Sequence, residues 1–224
     1  HEIQNPLDSV MNLLYLIENS PDTTGSSLGY ARTAQEELQR ITQITRQLLS
    51  FNREAREPIS IDVAEIIDSV QALLAAKMTA SGIELIRDYR THRHVFGLPG
   101  ELRQVFSNLI VNAMEASAPG GRIVVRVQEM TERLAPGRPG IQVTVSDTGK
   151  GISASDRSDL FTPFFTTKGE RGTGLGLWVS RGIIAKHQGH MRFRSCTIGA
   201  HRGTTFSVFL PLEQAAETPV QTAA

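Results

Sequence analysis

The chain has 224 residues, enough for one large domain or two smaller ones. Basic and acidic residues balance at 23 each, which excludes the cationic excess that gives nucleic-acid proteins their phosphate affinity. A single cysteine, Cys196, excludes an internal disulfide framework and a multi-cysteine metal site, and no stretch approaches the roughly 18 apolar residues that span a bilayer.

Taken in chain order, residues 3–19 place Ile3, Leu7, Val10, Leu14 and Ile17 at alternating spacings of 4 and 3, the seam of a packed helix. Pro6 predicts a local kink there. A polar break containing Pro21 and Gly25 follows, and the seam resumes at Ala31, Ala34, Leu38, Ile41, Thr45 and Leu48. Two helices joined by a short loop make an antiparallel hairpin. Surplus apolar residues at Leu13, Ile44, Leu49 and Phe51 favour a homodimeric four-helix bundle over a hairpin folded onto its own C-terminal domain.

Beyond Pro58 the pattern becomes mixed α and β. A short strand over 59–61 leads to Asp62, which caps a helix running to Ser81 and ending at Gly82. A strand over 83–89 precedes a polar, basic turn holding His92 and His94. Pro99 opens a helix that runs to Ser117. Strands are predicted over 122–130 and 141–146, then a long loop over 147–173, a helix over 175–187 and strands over 191–196 and 204–210. A long loop inside a compact domain usually serves a function. The tail 213–224, rich in Ala, Thr, Gln and Pro, reads as a disordered linker.

Three features carry chemistry. Asp147-Thr148-Gly149-Lys150-Gly151-Ile152 ends a strand with two glycines that let backbone approach a ligand, and its carboxylate can accept from an exocyclic amine. Gly172-Thr173-Gly174-Leu175-Gly176-Leu177 precedes a helix, so its N–H groups can cradle an anion. Either segment alone is equally a ligand-free tight turn. Asn108 and Asn112 are four apart on one helix face, where Asn is a mediocre helix former. They suit a Mg²⁺ that also holds phosphates, or are simply solvated polar positions.

In order, these segments resemble the sequence boxes of two-component sensor histidine kinases. His1-Glu2-Ile3-Gln4-Asn5-Pro6-Leu7 is similar to the phospho-acceptor box, and Asn108-Leu109-Ile110-Val111-Asn112-Ala113 to the asparagine box. The segments at 147–152 and 172–177 resemble the first two glycine boxes, 160–168 the phenylalanine box, and Gly203-Thr204-Thr205-Phe206 the last glycine box. The resemblance spans residues 1 to 212 and is nearest to nitrogen-regulator-type and hybrid kinases.

The resemblance implies an α+β chain. A dimerisation and phospho-acceptor helical hairpin over 1–57 would precede a Bergerat-type ATP-binding α/β sandwich over 58–212. His1 would be the phosphorylated nucleophile, reacting as a neutral imidazole near its ordinary pKa of about 6.5. Glu2 would accept or orient its proton, and Asn5 would orient a water that hydrolyses a partner's phosphoaspartate. Asp147 would bind adenine N6 with Thr205 nearby, and Gly149 and Gly151 would admit the nucleotide. Asn112 would coordinate Mg²⁺ and Asn108 would line the phosphate site. Gly172, Thr173, Gly174, Leu175, Gly176 and Leu177 would wrap the phosphates. Lys168, on a lid over 150–171 fastened by Phe161 and Phe164, would reach the γ-phosphate. The implied activity is ATP-dependent autophosphorylation of His1 and transfer to an aspartate of a response regulator receiver domain, with regulator phosphatase activity. The implied partners are a second copy of the chain, the receiver domain and an upstream sensor domain. The segment itself would make no membrane contact and act in the cytoplasm. It begins on His1 rather than Met and reads as part of a longer protein. The competing readings are a degenerate ATP-binding scaffold and an ATPase of the gyrase, Hsp90 or MutL type. The latter carry a Glu where Asn108 stands, and Asn cannot take a proton from water at neutral pH.

Overall fold

A computed structural model describes residues 10, 12–17, 29–34, 38, 57–132, 137–169, 173–199 and 202–212. The chain divides into two compact units, His1–Arg53 with Thr166–Thr173, and Glu54–Phe165 with Gly174–Ala224. In the first unit residues 12–17 and 29–34 are helical, with Val10 and Ala34 buried. The seam positions Ile3, Leu7, Ile41, Thr45 and Leu48, and Pro6, lie outside the described residues.

The second unit is an α/β layer structure. It begins with β1 (Ile59–Asp62), whose last residue caps α1 (Val63–Ser81): the Asp62 carboxylate accepts the Ala64 N–H at 2.8 Å. The helix stops at Gly82, which takes φ 62°, the left-handed conformation that favours glycine. After β2 (Glu84–Tyr89) the chain forms β3 (His94–Gly97), a strand the polar turn reading did not anticipate. Its reason is local. β3 pairs antiparallel with β1, Ile59 opposite Gly97 and Asp62 opposite His94, and the His92 ring meets the Asp62 carboxylate at 2.8 Å. Four residues, one of them a histidine, carry too little alternation to be seen without that partner.

Pro99 opens α2 (Pro99–Ala116), its missing N–H matching the unpaired first turn. Its apolar face, Leu102, Val105, Phe106, Leu109, Ile110 and Ala113, is buried throughout. Each of these side chains except Ala113 contributes on the order of 1.5–3 kcal/mol by leaving water. β4 (Arg122–Thr131), β5 (Pro139–Asp147), α3 (Gly176–Lys186), β6 (His190–Cys196) and β7 (Gly203–Pro211) complete the unit.

The main sheet runs β2-β4-β5-β7-β6. β2 and β4 are parallel, and the other neighbours are antiparallel. Along β5, Ile141, Val143 and Val145 are buried toward the helices, while Gln142, Thr144 and Ser146 alternate onto the other face. α2 and α3 run antiparallel, clipped at one end where the Leu98 N–H donates to His187 Nε2 at 3.0 Å. Beside that clip, Lys186 Nζ meets the buried Glu101 carboxylate at 2.5 Å. Antiparallel pairing sets the start of β7 beside the end of β5, so the two glycine-rich strand ends converge near the C-terminal end of α2.

Candidate functional site

Asp147 is the last residue of β5 and follows Val145 by two, so its carboxylate points to the helix side of the sheet. Its Oδ1 accepts the N–H of Gly149 at 2.8 Å and of Thr204 at 3.1 Å. The two bonds aim the carboxylate and leave its second oxygen for another donor. Burial pushes the Asp147 pKa up, and the two backbone N–H bonds oppose that rise.

The glycines here are steric necessities. A Cβ on Gly149 would lie 2.5 Å from the Ala116 carbonyl oxygen, and Lys150 N–H donates to that same oxygen at 3.0 Å. Gly151, at φ 75°, abuts the Cys196 carbonyl, and Gly203, at φ 145°, abuts the main chain of Asp147. The backbone of the first glycine segment is thereby pressed against α2 on one side and β6 on the other.

Sequence reasoning placed Thr205 beside Asp147, and the pleat corrects this. Thr205 pairs with Ser146 in the register, and their hydroxyls meet at 2.9 Å on the opposite face. The neighbour that shares the Asp147 face is Thr204, which is buried and whose N–H binds the carboxylate. Ser195 extends this cluster: its hydroxyl oxygen accepts the Ile152 N–H at 2.7 Å and lies 3.0 Å from Thr204 Oγ1. Thr204 lies in the last glycine segment but was given no role there, and Ser195 carried no signal, because an isolated Ser in a strand looks like ordinary surface polarity.

The second glycine segment leads into the first turn of α3, which lies against α2. Leu175 is buried and caps the helix, Gly176 is its first residue, and Leu177 is half-buried. Gly174 adopts φ 64° with its Cα face against the Phe164 main chain. Asn108 is half-buried rather than solvated: its Nδ2 lies 3.2 Å from both the Gly176 carbonyl and Ser180 Oγ. Asn112 lies one turn farther along the same face of α2 and is also half-buried. The structure therefore brings Asn108, Gly174, Leu175, Gly176 and Leu177 together, with Asn112 on the adjoining turn.

Phe161 is half-buried, edge-on to Phe193 at 5.9 Å, with the Arg181 guanidinium 5.3 Å above its ring. Phe164, expected to share that fastening role, is instead 44% exposed and contributes through its backbone. Lys168 is exposed, with its N–H on Thr166 Oγ1 at 3.1 Å, and with half-buried Thr173 it belongs to the first compact unit. His1, Glu2, Asn5 and Gly172 lie outside the described residues.

The chemistry of this donor set fits an adenine nucleotide. An aimed carboxylate acceptor suits an exocyclic amine, glycines leave room for backbone approach, and a helix N-terminus faces a neutral amide pair able to meet a phosphate-bound cation. Residues 97–214 match the family model described as histidine kinase-, DNA gyrase B-, and HSP90-like ATPase. The chain belongs to that family. Among individual proteins it is 32% identical over 215 residues to the sensor histidine kinase ZraS of Salmonella typhi, covering 95% of this chain and 44% of that protein. The catalytic domain of histidine kinase ThkA has a TM-score of 0.59 at 28% identity, covering 69% of this chain and 95% of that one. ThkA in complex with response regulator protein TrrA has a TM-score of 0.68 at 24% identity, covering 95% of this chain and 59% of that one. The chain thus spans under half the length of the curated relative ZraS.

Proposed function

We propose that this chain is the catalytic core of a sensor histidine kinase that binds Mg-ATP between Asp147 and the first turn of α3 and moves the γ-phosphate onto His1. The observation that carries the reading is the Asp147 carboxylate. One oxygen is occupied by two backbone donors at 2.8 and 3.1 Å, so the other is left for adenine N6. Thr204, rather than Thr205, orients it. Gly149 and Gly151 admit the base, and the N–H groups at the start of α3 receive phosphate.

Phosphoryl transfer asks a protein mainly for positioning and charge neutralisation. Asn112 would hold Mg²⁺, which when bound neutralises phosphate charge. Lys168 would add a second positive charge. The His1 imidazole would attack in its neutral form, Glu2 would take up its proton, and Asn5 would orient a water that hydrolyses the regulator's phosphoaspartate to aspartate and inorganic phosphate, a separate reaction. An ATPase of the gyrase type is disfavoured because Asn108 holds no base. Its amide nitrogen faces α3.

The seam residues Leu14 and Leu38 are 48% and 49% exposed in the single chain, and a homodimeric bundle would cover them. A receiver domain would dock as the acceptor of the phosphate, by analogy with the ThkA–TrrA pair, and a sensor domain would precede the core in the longer, cytoplasm-facing protein.

The test is incubation of the full chain with γ-labelled ATP and Mg²⁺, followed by mapping of the labelled residue. Acid-labile label on His1 is expected. His1→Gln should remove it and leave ATP affinity unchanged, and Asn112→Ala should cut Mg-dependent labelling about 100-fold. ATP binding without label on His1 would make the chain a binding scaffold instead.

A further inference from the structure

Ser180 was singled out by no motif, yet it is fully buried and touches the asparagine box. It lies on α3 four residues after Gly176, so its hydroxyl and the Gly176 carbonyl occupy one helix face. Both face Asn108. The Gly176 carbonyl can only accept, so the Asn108 nitrogen, not its oxygen, must point toward α3. Both amide hydrogens are then committed, one to Gly176 and one to Ser180, at 3.2 Å each. Asn108 is left with its carbonyl oxygen alone, which cannot donate to a phosphate.

We infer that Ser180 is a positioning residue for phosphate recognition: with Gly176 it holds Asn108, and through Asn108 it fixes the first turn of α3 to the helix that carries Asn112. This rests on the nucleotide-site reading above. The far end of α3 is clipped separately, by His187 to the Leu98 N–H and by Lys186 to Glu101. Losing the Ser180 bond therefore loosens the phosphate-facing turn, which keeps only the Asn108–Gly176 bond, while the rest of the helix pair stays registered. The adenine end, built from Asp147, Gly149 and Thr204, has no bond to either Asn108 or Ser180 among those described. Ser180 should act on the phosphates and not on the base.

The experiment compares binding of a non-hydrolysable ATP analogue with Mg²⁺ and of adenosine, by calorimetry on the full chain, for wild type and Ser180→Ala. The analogue should bind about tenfold more weakly, equivalent to about 1.4 kcal/mol, while adenosine binding stays within about twofold. Ser180→Cys keeps the side-chain shape with a weak acceptor and should behave the same way. Asn108→Ala combined with Ser180→Ala should be no weaker than Asn108→Ala alone, because the two residues act as one unit. In ligand-free protein, amide exchange over 177–181 should quicken about tenfold in Ser180→Ala. Equal loss for analogue and adenosine, additive effects in the double variant, or unchanged exchange would overturn the inference. If wild type bound neither ligand, the nucleotide reading itself would fail, and the exchange measurement would still decide the clip.

Discussion

The two ends of the candidate cleft are built differently. At the adenine end the fixtures are main-chain bonds and steric stops. Gly149 and Lys150 press on the end of α2, Gly151 on β6, Gly203 on Asp147, and backbone N–H groups hold the carboxylate. At the phosphate end the first turn of α3 rests on side-chain bonds from Asn108, and the adjoining chain passes through Gly174 in a left-handed conformation. Main-chain fixtures are made by the fold itself and change only if the sheet changes. Side-chain fixtures can be released at a cost of about 1 kcal/mol each. On the proposed reading, the base end is set by main-chain fixtures and the phosphate end by side-chain bonds that can be released.

The harshest way to break that contrast is Gly203→Ala. The added Cβ would sit at φ 145° and about 2.0 Å from the Asp147 carbonyl. Strain at such a position costs at least about 3 kcal/mol, lowering the thermal midpoint by roughly 10 °C and abolishing nucleotide binding, which calorimetry would read directly.

Asp147→Asn separates recognition from stability. The amide oxygen still accepts from Gly149 and Thr204, but the opposite group becomes a donor and repels adenine N6. ATP affinity should fall about 100-fold. Burial raises the Asp147 pKa above its ordinary 3.8, so the folded state binds protons that the unfolded state has released. Stability is then full below the ordinary value and declines as pH rises through the folded value. The Asn variant lacks that decline and should be at least as stable as wild type near pH 7, as measured by urea unfolding.

Phe161→Ala is the mildest change. It removes the edge contact with Phe193 and the Arg181 stack, costs about 1–2 kcal/mol, and should weaken ATP binding by only about threefold.

Much of this architecture was legible because its periodicities are strong. The heptad-like face of α2 and the alternation in β4 and β5 each repeat over several turns or pleats, and Asp62 and Gly82 mark helix ends by chemistry that needs no tertiary partner. The glycine segments were legible as close-approach sites for the same reason. What stayed hidden depends on pairing. β3 exists only because β1 lies beside it. The choice between Thr204 and Thr205 is a matter of pleat parity, set by the Ser146 register. Ser180 and Ser195 acquire meaning only when α3 meets α2 and β6 meets the first glycine segment.

The strand order carries a consequence for biosynthesis. β7 lies between β5 and β6 although it is the last of the described strands to be made. Until residues 203–211 leave the ribosome, β5 has an open edge, β6 has no neighbour, and Asp147 lacks the Thr204 N–H that aims it. A chain that ends after β6 but before β7 leaves the β5 edge open and β6 without its neighbour, a product prone to aggregation.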